Sequence, residues 1–528
     1  MNEISWGRMR SKSENLAILT VAVVTFTALN ISLTVNVGAL SAPPTYDDSG
    51  YLMDGYYRFM LDGVRSLWSL AESFVQYPPH APVEALTVVL GYWFFGPSNV
   101  GPYIMNIWGL SAFALMMFSV AGDRIDDRAA TLLAIAAMFV PVAGAIISEL
   151  RPDMIAGLFF AFSGYVLLVR EGAKRDHRAA ALVGLLCAFS MIIKLSAVVI
   201  TVPMLGFALV AGVALQSEAR SKAVSGAAIT VAAAFVILVP VAYIWGGQTY
   251  AYVHQALVSN RDIWFTPGDR WFHLSYYATG PGGSVGLGNL FYVGVALILI
   301  DIAASLATKR SDIRSLAYYA WTLLIFIGMT NSAEKTVYQG SFFFFPFVIS
   351  SVVALSRLLS MFPRQSFRGS AAIALLAVLF LEPAHTYNQG LYRKDTAAMV
   401  EQISDIVVQS ASATPLCGAP MYRFAVVGSQ PVTAQTVALE VAKKDRLRLA
   451  LDWLFFVREW ETMEQEIEKA NFVLLPNEAG LRDSLNQHLP GAVYNDQVRA
   501  LLRQDNRWQE YRIEAADPLT LFVRERCE

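Results

Sequence analysis

Twelve apolar stretches divide the first 385 residues, and their spacing leaves little choice of architecture. They cover residues 16–40, 81–95, 102–121, 129–147, 154–170, 179–193, 195–215, 223–245, 289–307, 315–330, 339–356 and 370–384. A helix needs about 20 apolar residues to cross the hydrocarbon core of a bilayer, and backbone in lipid must satisfy its own hydrogen bonds. With 55% of residues hydrophobic and only 16% charged, the chain reads as a polytopic α-helical membrane protein. Met1–Lys12 carries Arg8, Arg10 and Lys12, and the run that follows, Leu16–Leu40, exceeds the roughly 7–15 apolar residues of a cleavable leader. It is expected to persist as the first helix.

Positive charge orders the loops, because cytoplasmic connections are enriched in Lys and Arg. Five connections are clearly basic: Arg124/Arg128, Arg170/Lys174/Arg175/Arg178, Arg220/Lys222, Lys309/Arg310/Arg314 and Arg357/Arg364/Arg368. An even number of spans separates each from the next, which places them on one side. The basic N-terminus joins them only if one of the three stretches before Arg124 does not cross. The segment 81–95 is short, contains Glu84, starts after Pro78-Pro79-His80-Ala81-Pro82 and stops at Gly96-Pro97, as interfacial or re-entrant segments do. About 11 transmembrane helices remain, with the N-terminus cytoplasmic and the C-terminal region extracytoplasmic. The outer connections are then 41–101, 148–153, the point around Lys194, 246–288 and 331–338.

From residue 386 the composition becomes that of a soluble domain. Helical patterns at 396–409, 440–460 and 461–470 alternate with strand-like runs at 424–427, 471–475, 511–514 and 519–523, which suggests a small α/β or α+β domain. The expected division is thus 1–385, a membrane domain, and 386–528, an extracytoplasmic soluble domain. Cys417 and Cys527 share that second region and are the pair an oxidising compartment would permit. A net charge of −2 offers no basic surface for nucleic acid. Phosphate-binding Gly-rich loops, HExxH and CxxC are all missing from the sequence.

The polar residues of the outer connections hold the candidate chemistry. Asp47-Asp48 follow Pro43-Pro44, which stop the first helix and hold the chain extended, so the acids sit on a short tether near the membrane. Met53, Tyr57, Met60, Val64 and Leu67 recur at helical spacing, with Asp54, Arg58, Asp62 and Arg65 as a second stripe. That pattern is an amphipathic helix, lying either in the headgroup plane or under the outer domain. Arg151-Pro152-Asp153 forms a tight outer turn; Asp153 either caps its helix or joins Asp47 and Asp48 in one cluster. Three clustered acids require a shared proton, a basic partner or a divalent cation such as Mg or Mn, with Asp47 and Asp153 as its ligands. Lys194, in an otherwise apolar stretch, either snorkels or meets a lipid phosphate. Tyr250, Tyr252, His254, Arg261, Asp262, Trp264, Trp271, His273, Tyr276 and Tyr277 crowd the 246–288 loop, a mixture of aromatic and polar groups suited to sugars. Lys335 and Tyr338, three residues apart, are expected to face one cavity.

In their order these motifs resemble the GT-C superfamily of integral-membrane glycosyltransferases, and most closely its branch of protein O-mannosyltransferases and lipid A aminoarabinose transferases. The resemblance spans roughly residues 16–360. It rests on Asp47-Asp48 with Tyr51, Pro78-Pro79 before a short apolar segment ending at Phe95-Gly96, the Arg151-Pro152-Asp153 turn, and Lys335, Tyr338 and Pro346 late in the chain. Asp48 stands where Glu is usual, and Tyr77 where an acid often precedes the prolines. The resemblance implies a hexosyl- or pentosyltransferase of the inner or plasma membrane. It would take sugar from a polyprenyl-phosphate donor and pass it, with inversion, to a glycan, lipid or protein acceptor outside. In that reading Asp47 accepts the acceptor's proton, and Asp48 or Asp153 orients it or the sugar. Lys335, Lys194, Arg151 or a divalent ion neutralises the leaving phosphate, and Tyr338, Tyr51, His80, Arg261 and His254 complete the substrate contacts. The alternative is a lipid-linked sugar flippase, which would carry its ionisable groups near the membrane midplane.

Overall fold

The structure, a computed structural model of the 528-residue chain, describes residues 2–38, 40–44, 46–170, 176–216, 220–308, 312–332, 334–361, 368–369, 371–372, 375, 395–413, 416, 419–428, 432–476, 489–513 and 518–526. Most of the span expected at 370–384, the domain boundary near 385, and both Cys417 and Cys527 lie outside the described residues.

Among the described residues, eight helices are long and apolar enough to cross a membrane, from Ser13–Val37 to Ser341–Ser360. A ninth span follows if Asp127–Ala137 and Pro141–Ser148, which meet at a 68° bend, count as one. Val140 and Pro141 make that bend, since proline is accepted at the start of a helix but cannot continue the one before it. The chain is a multi-pass membrane protein. His177–Ile193, with 17 residues, is a shorter apolar helix packed in the same bundle. Pro82–Phe95, with 14, is about 21 Å long at 1.5 Å per residue, too short to cross.

Bulky aromatics fill the bundle. Trp321, Tyr318, Tyr165, Phe160, Phe113, Phe344 and Phe345 are all fully buried, and the Trp321 indole N–H donates to the Met204 carbonyl (2.9 Å). Pro152–Val169 crosses the start of Ser341–Ser360 at Gly157, where a Cβ would lie 2.7 Å from the Ser341 backbone carbon. That close approach lets the Ser341 hydroxyl donate to the carbonyl of Asp153 (2.8 Å).

Four of the five basic connections meet at one end of the bundle. Arg124 donates to Tyr165 (3.0 Å) and Ser315 (3.1 Å) and faces Asp312 (3.5 Å). Arg170 pairs with Asp123 (2.9 Å) and Arg368 with Asp126 (3.7 Å), while Arg357 meets Asp301 (3.2 Å). This common end is what the even count of spans between basic loops implies.

At the opposite end the 41–101 connection departs from expectation. The acids do not sit on an extended tether: Asp47 and Asp48 lie in the first turn of the helix Tyr46–Tyr56, where carboxylates favour the positive end of the helix dipole. The expected helix through Leu67 stops early, because Tyr57–Leu61 widens into a π turn and Gly63 takes a positive φ of 67°. A separate helix, Leu67–Gln76, begins at the Ser66 capping box. Arg58 staples the two pieces, pairing with Asp54 (2.9 Å) and donating to the carbonyls of Ser73 (3.0 Å) and Tyr77 (2.6 Å). Pro82–Phe95 packs under Tyr46–Tyr56 at Gly55, where a Cβ would meet Val88 at 2.4 Å.

The C-terminal region contains a five-stranded sheet of order β2-β1-β3-β5-β4. Its strands are β1 Tyr422–Val426, β2 Leu449–Trp453, β3 Phe472–Pro476, β4 Trp508–Ile513 and β5 Leu519–Arg524; β2-β1-β3 are parallel and β3-β5-β4 antiparallel. Helices Asp395–Ala411 and Ala434–Asp445 cover one face, Trp460–Lys469 and Asn495–Gln504 the other. The single helix expected over 440–460 is corrected here. Arg446 adopts a left-handed conformation that ends the helix, and Leu447, Leu449, Leu451 and Trp453 alternate at the period of a strand. Asn495–Gln504 is a helix the sequence pattern did not reveal.

This sheet domain sits on the acid-bearing helix. Thr433 Oγ1 lies 2.9 Å from Ser49 Oγ, Thr436 donates to the Pro44 carbonyl (2.5 Å), and Lys443 donates to Asn99 (2.9 Å). Arg448 pairs with Asp62 (2.8 Å) and Arg458 with Asp262 (2.8 Å), so the 41–101 and 246–288 connections are both gripped. The amphipathic segment packs beneath the sheet domain.

The Gly157 crossing gives a direct test. Gly157→Val forces two backbones apart and is expected to cost about 1–3 kcal/mol, the usual price of overpacking, read as a lowered thermal midpoint of the detergent-purified protein.

Candidate active site

The acid pair, the 149–153 turn and Lys194 converge at the end of the bundle beneath the sheet domain. Proline at the start of Pro152–Val169 holds Arg151 in an extended conformation, which directs its guanidinium back toward Tyr46–Tyr56. There it forms ion pairs with Asp47 and with Asp48 (3.3 Å), with Glu149 a further 3.7 Å neighbour. Its planar face rests 3.9 Å above the ring centre of Tyr338, a cation–π contact that fixes its orientation.

The two aspartates differ in access. Asp48 is 1% exposed; its Oδ2 accepts from the Tyr103 hydroxyl (2.6 Å) and the Leu150 N–H (3.3 Å). Burial pushes its carboxyl up, against the pull of Arg151 and these hydrogen bonds, and the charge of Asp47 adds to the rise. The Asp47 side chain is 63% exposed. Burial there raises its carboxyl too, but Arg151, then Lys194 and His80, outweigh it and hold Asp47 below the usual aspartate range. Asp47 is the ionised carboxylate a ligand can reach, and Asp48 is a buried anchor.

Beside them Lys194 Nζ pairs with Asp153 Oδ2 (2.7 Å). Lys194 follows the last residue of His177–Ile193 in an extended conformation, which turns its amine toward Asp153. His80 lies with its ring centre 4.3 Å from that of Tyr252, and burial followed by the charge of Lys194 lowers its imidazole from the ordinary histidine value. An open cleft of about 260 Å³ runs from here, lined by His80, Leu195, Ser196, Gln248, Thr249 and Tyr252.

The expected site residues thus divide. Asp47, Asp48, Arg151, Asp153, Lys194 and Tyr338 come together, with Tyr51 buried among them and His80 at the cleft. Lys335 points elsewhere: its amine donates to the carbonyls of Met329 (2.8 Å), Thr330 (3.0 Å) and Ser332 (2.6 Å), satisfying the end of the helix Ile313–Thr330. It does not share a cavity with Tyr338 in the way their spacing implied. His254 and Arg261 are exposed, and the described contacts tie neither to the acids. Asp47 pairs with Arg151 and Asp153 with Lys194, and no group of three or more His, Cys, Asp or Glu suited to a metal occurs among the described residues. Tyr103, Glu149 and Glu84 were not foreseen as site members. Glu149 adjoins the Arg151 turn and Glu84 breaks an apolar run, which were the available signals; Tyr103 gave none.

No protein-family model matches the chain, and no curated protein sequence does. Among solved structures it is similar to ArnT from Cupriavidus metallidurans in the apo state, with a TM-score of 0.58 and 14% identity over 95% of this chain and 98% of that one. It is similar to the same protein bound to undecaprenyl phosphate, with a TM-score of 0.52 and 13% identity over 96% and 97%. The oligosaccharyltransferase from Archaeoglobus fulgidus aligns more loosely, with a TM-score of 0.48 and 13% identity over 88% and 70%.

Arg151→Met strands the buried charge of Asp48, a loss of about 3–5 kcal/mol for a broken buried pair. Adding Asp48→Asn is expected to recover much of it, so the double variant unfolds at a midpoint well above the sum of the single effects. The end-to-end match, over 95% of this chain and 98% of the other, shows that this chain shares its fold with ArnT.

Proposed function

We propose that the protein is a glycosyltransferase that moves a sugar from a polyprenyl-phosphate donor to an acceptor at the outer face of the membrane. The observation that carries this reading is the asymmetry of the acid pair: one reachable, ionised carboxylate, held by an arginine that a buried second carboxylate anchors. The likeness in fold to a protein that binds undecaprenyl phosphate supports the donor class.

In this reading the acceptor hydroxyl approaches Asp47, which takes its proton as the oxygen attacks the anomeric carbon. The new glycosidic bond forms as the bond from that carbon to the lipid-phosphate oxygen breaks, with inversion. The departing lipid phosphate takes the bonding electron pair and so gains a negative charge; it needs cations rather than a proton, which Arg151 and Lys194 supply. Asp48 never touches substrate; it keeps Arg151 in place. The sugar is of the hexose or pentose class, and the residues from 386 onward form the outer domain beside the acceptor. The flippase alternative calls for ionisable groups at mid-membrane, and the acids of this cluster sit at helix ends instead.

Comparing lipid-linked sugars and surface glycans by mass spectrometry, with and without the protein, identifies donor and acceptor. Asp47→Asn is expected to reduce transfer at least about 100-fold, the lower range for a lost general base, with an unchanged thermal midpoint; full activity in that variant overturns the assignment. Lys194→Met is expected to weaken undecaprenyl-phosphate binding about tenfold and to lower the thermal midpoint, because it strands the buried carboxylate of Asp153.

A further inference from the structure

Glu84 is a charged-type side chain inside this cluster for which the proposed reaction has no use. It lies in the first turn of Pro82–Phe95, is 1% exposed, and its Oε1 has no hydrogen-bond partner among the described residues. Leaving a carboxylate in such a place costs several kcal/mol unless a cation or a proton relieves it. Neither nearby cation is spare. Arg151 is engaged by Asp47 and Asp48, and Lys194 by Asp153.

The groups around Glu84 define its electrostatics. The Tyr46–Tyr56 helix presents Asp48 and Tyr51, and the 149–153 turn presents Arg151 and Asp153. Val100–Met105 contributes Tyr103, whose hydroxyl is committed to Asp48. Lys194, past the end of His177–Ile193, is committed to Asp153. Asp47, Asp48, Glu149 and Asp153 already outnumber the two cations. Burial first, then the charge of Asp48, pushes the Glu84 carboxyl up to about 8, so the proton it needs is present at neutral pH.

We propose that Glu84 is a positioning residue held as the neutral acid, and that its ionisation closes the site to an anionic lipid phosphate. A fifth negative charge beside Asp48 and Arg151 draws the guanidinium from Asp47 and repels the incoming phosphate. Nothing is transferred in this step except one proton, lost from the Glu84 carboxyl to solvent. The proposal rests on the reading of the site as one for a lipid phosphate.

The test uses the full-length protein in lipid nanodiscs, wild type and Glu84→Gln, with undecaprenyl phosphate as the probe between pH 6.5 and 9.5. Wild-type affinity is expected to hold to about pH 8 and then fall by about tenfold per pH unit, the slope of a single ionisation. Glu84→Gln, neutral throughout, is expected to bind within about threefold of wild type at pH 7 and to stay flat. Lys335, which burial pushes down to about 8, is kept in that variant, so a flat profile assigns the step to Glu84. Superimposable profiles overturn the proposal, as does loss of binding by Glu84→Gln at pH 7. Infrared difference spectra over the same range read the group itself: a protonated-carboxyl band that disappears with rising pH in the wild type and is missing from Glu84→Gln supports it, and no such band overturns it. That band in a protein that binds no undecaprenyl phosphate at any pH supports a protonated Glu84 and overturns the lipid-phosphate reading instead.

Discussion

One guanidinium holds this site together. Arg151 is the point where the first outer loop, the 149–153 turn and the late loop carrying Tyr338 meet, and these come from widely separated parts of the chain. A single planar fork can do this because it offers several donors in fixed directions and a face for an aromatic ring. Lysine at the same place would supply the charge without the geometry. The asymmetry between Asp47 and Asp48 follows from it: both carboxylates face the same cation, but only Asp47 is exposed.

The surrounding fold explains how so much charge survives in an apolar protein. Most of the acids and cations lie near helix ends, turns and the sheet domain, where backbone N–H groups and hydroxyls supply part of their hydrogen bonding. Asp48 illustrates the arrangement, taking a phenol from one helix and a backbone N–H from a turn. The opposite end of the bundle uses the same device, with Arg124, Arg170, Arg357 and Arg368 each facing an aspartate. Two polar ends therefore enclose a middle packed with Phe, Tyr and Trp.

Much of this was legible from residue order, and the exceptions have identifiable causes. Apolar runs and basic loops separated the spans from the short Pro82–Phe95 helix, because length and charge are properties of the chain itself. Asp47, Asp48, Arg151 and Asp153 were visible because prolines mark the loops that carry them. Lys335 was misjudged because its amine answers to where a neighbouring helix ends, which no local pattern encodes. The helix expected over 440–460 failed at Arg446, a residue type that seldom adopts the left-handed conformation it has here. Tyr103 stayed hidden since a tyrosine in an apolar run looks like packing until its hydroxyl finds a buried carboxylate.

The contact between Ala434–Asp445 and Tyr46–Tyr56 joins two ends of the chain nearly 400 residues apart. During synthesis the acid-bearing helix is therefore made early and waits, without its cover, until almost the entire chain has emerged. A polypeptide with its membrane helices already inserted still lacks the hydroxyls of Thr433 and Thr436 that hold Ser49 and Pro44 in place. The packing over Asp47 and Asp48 is thus completed only after the sheet domain is made, although both acids are translated early.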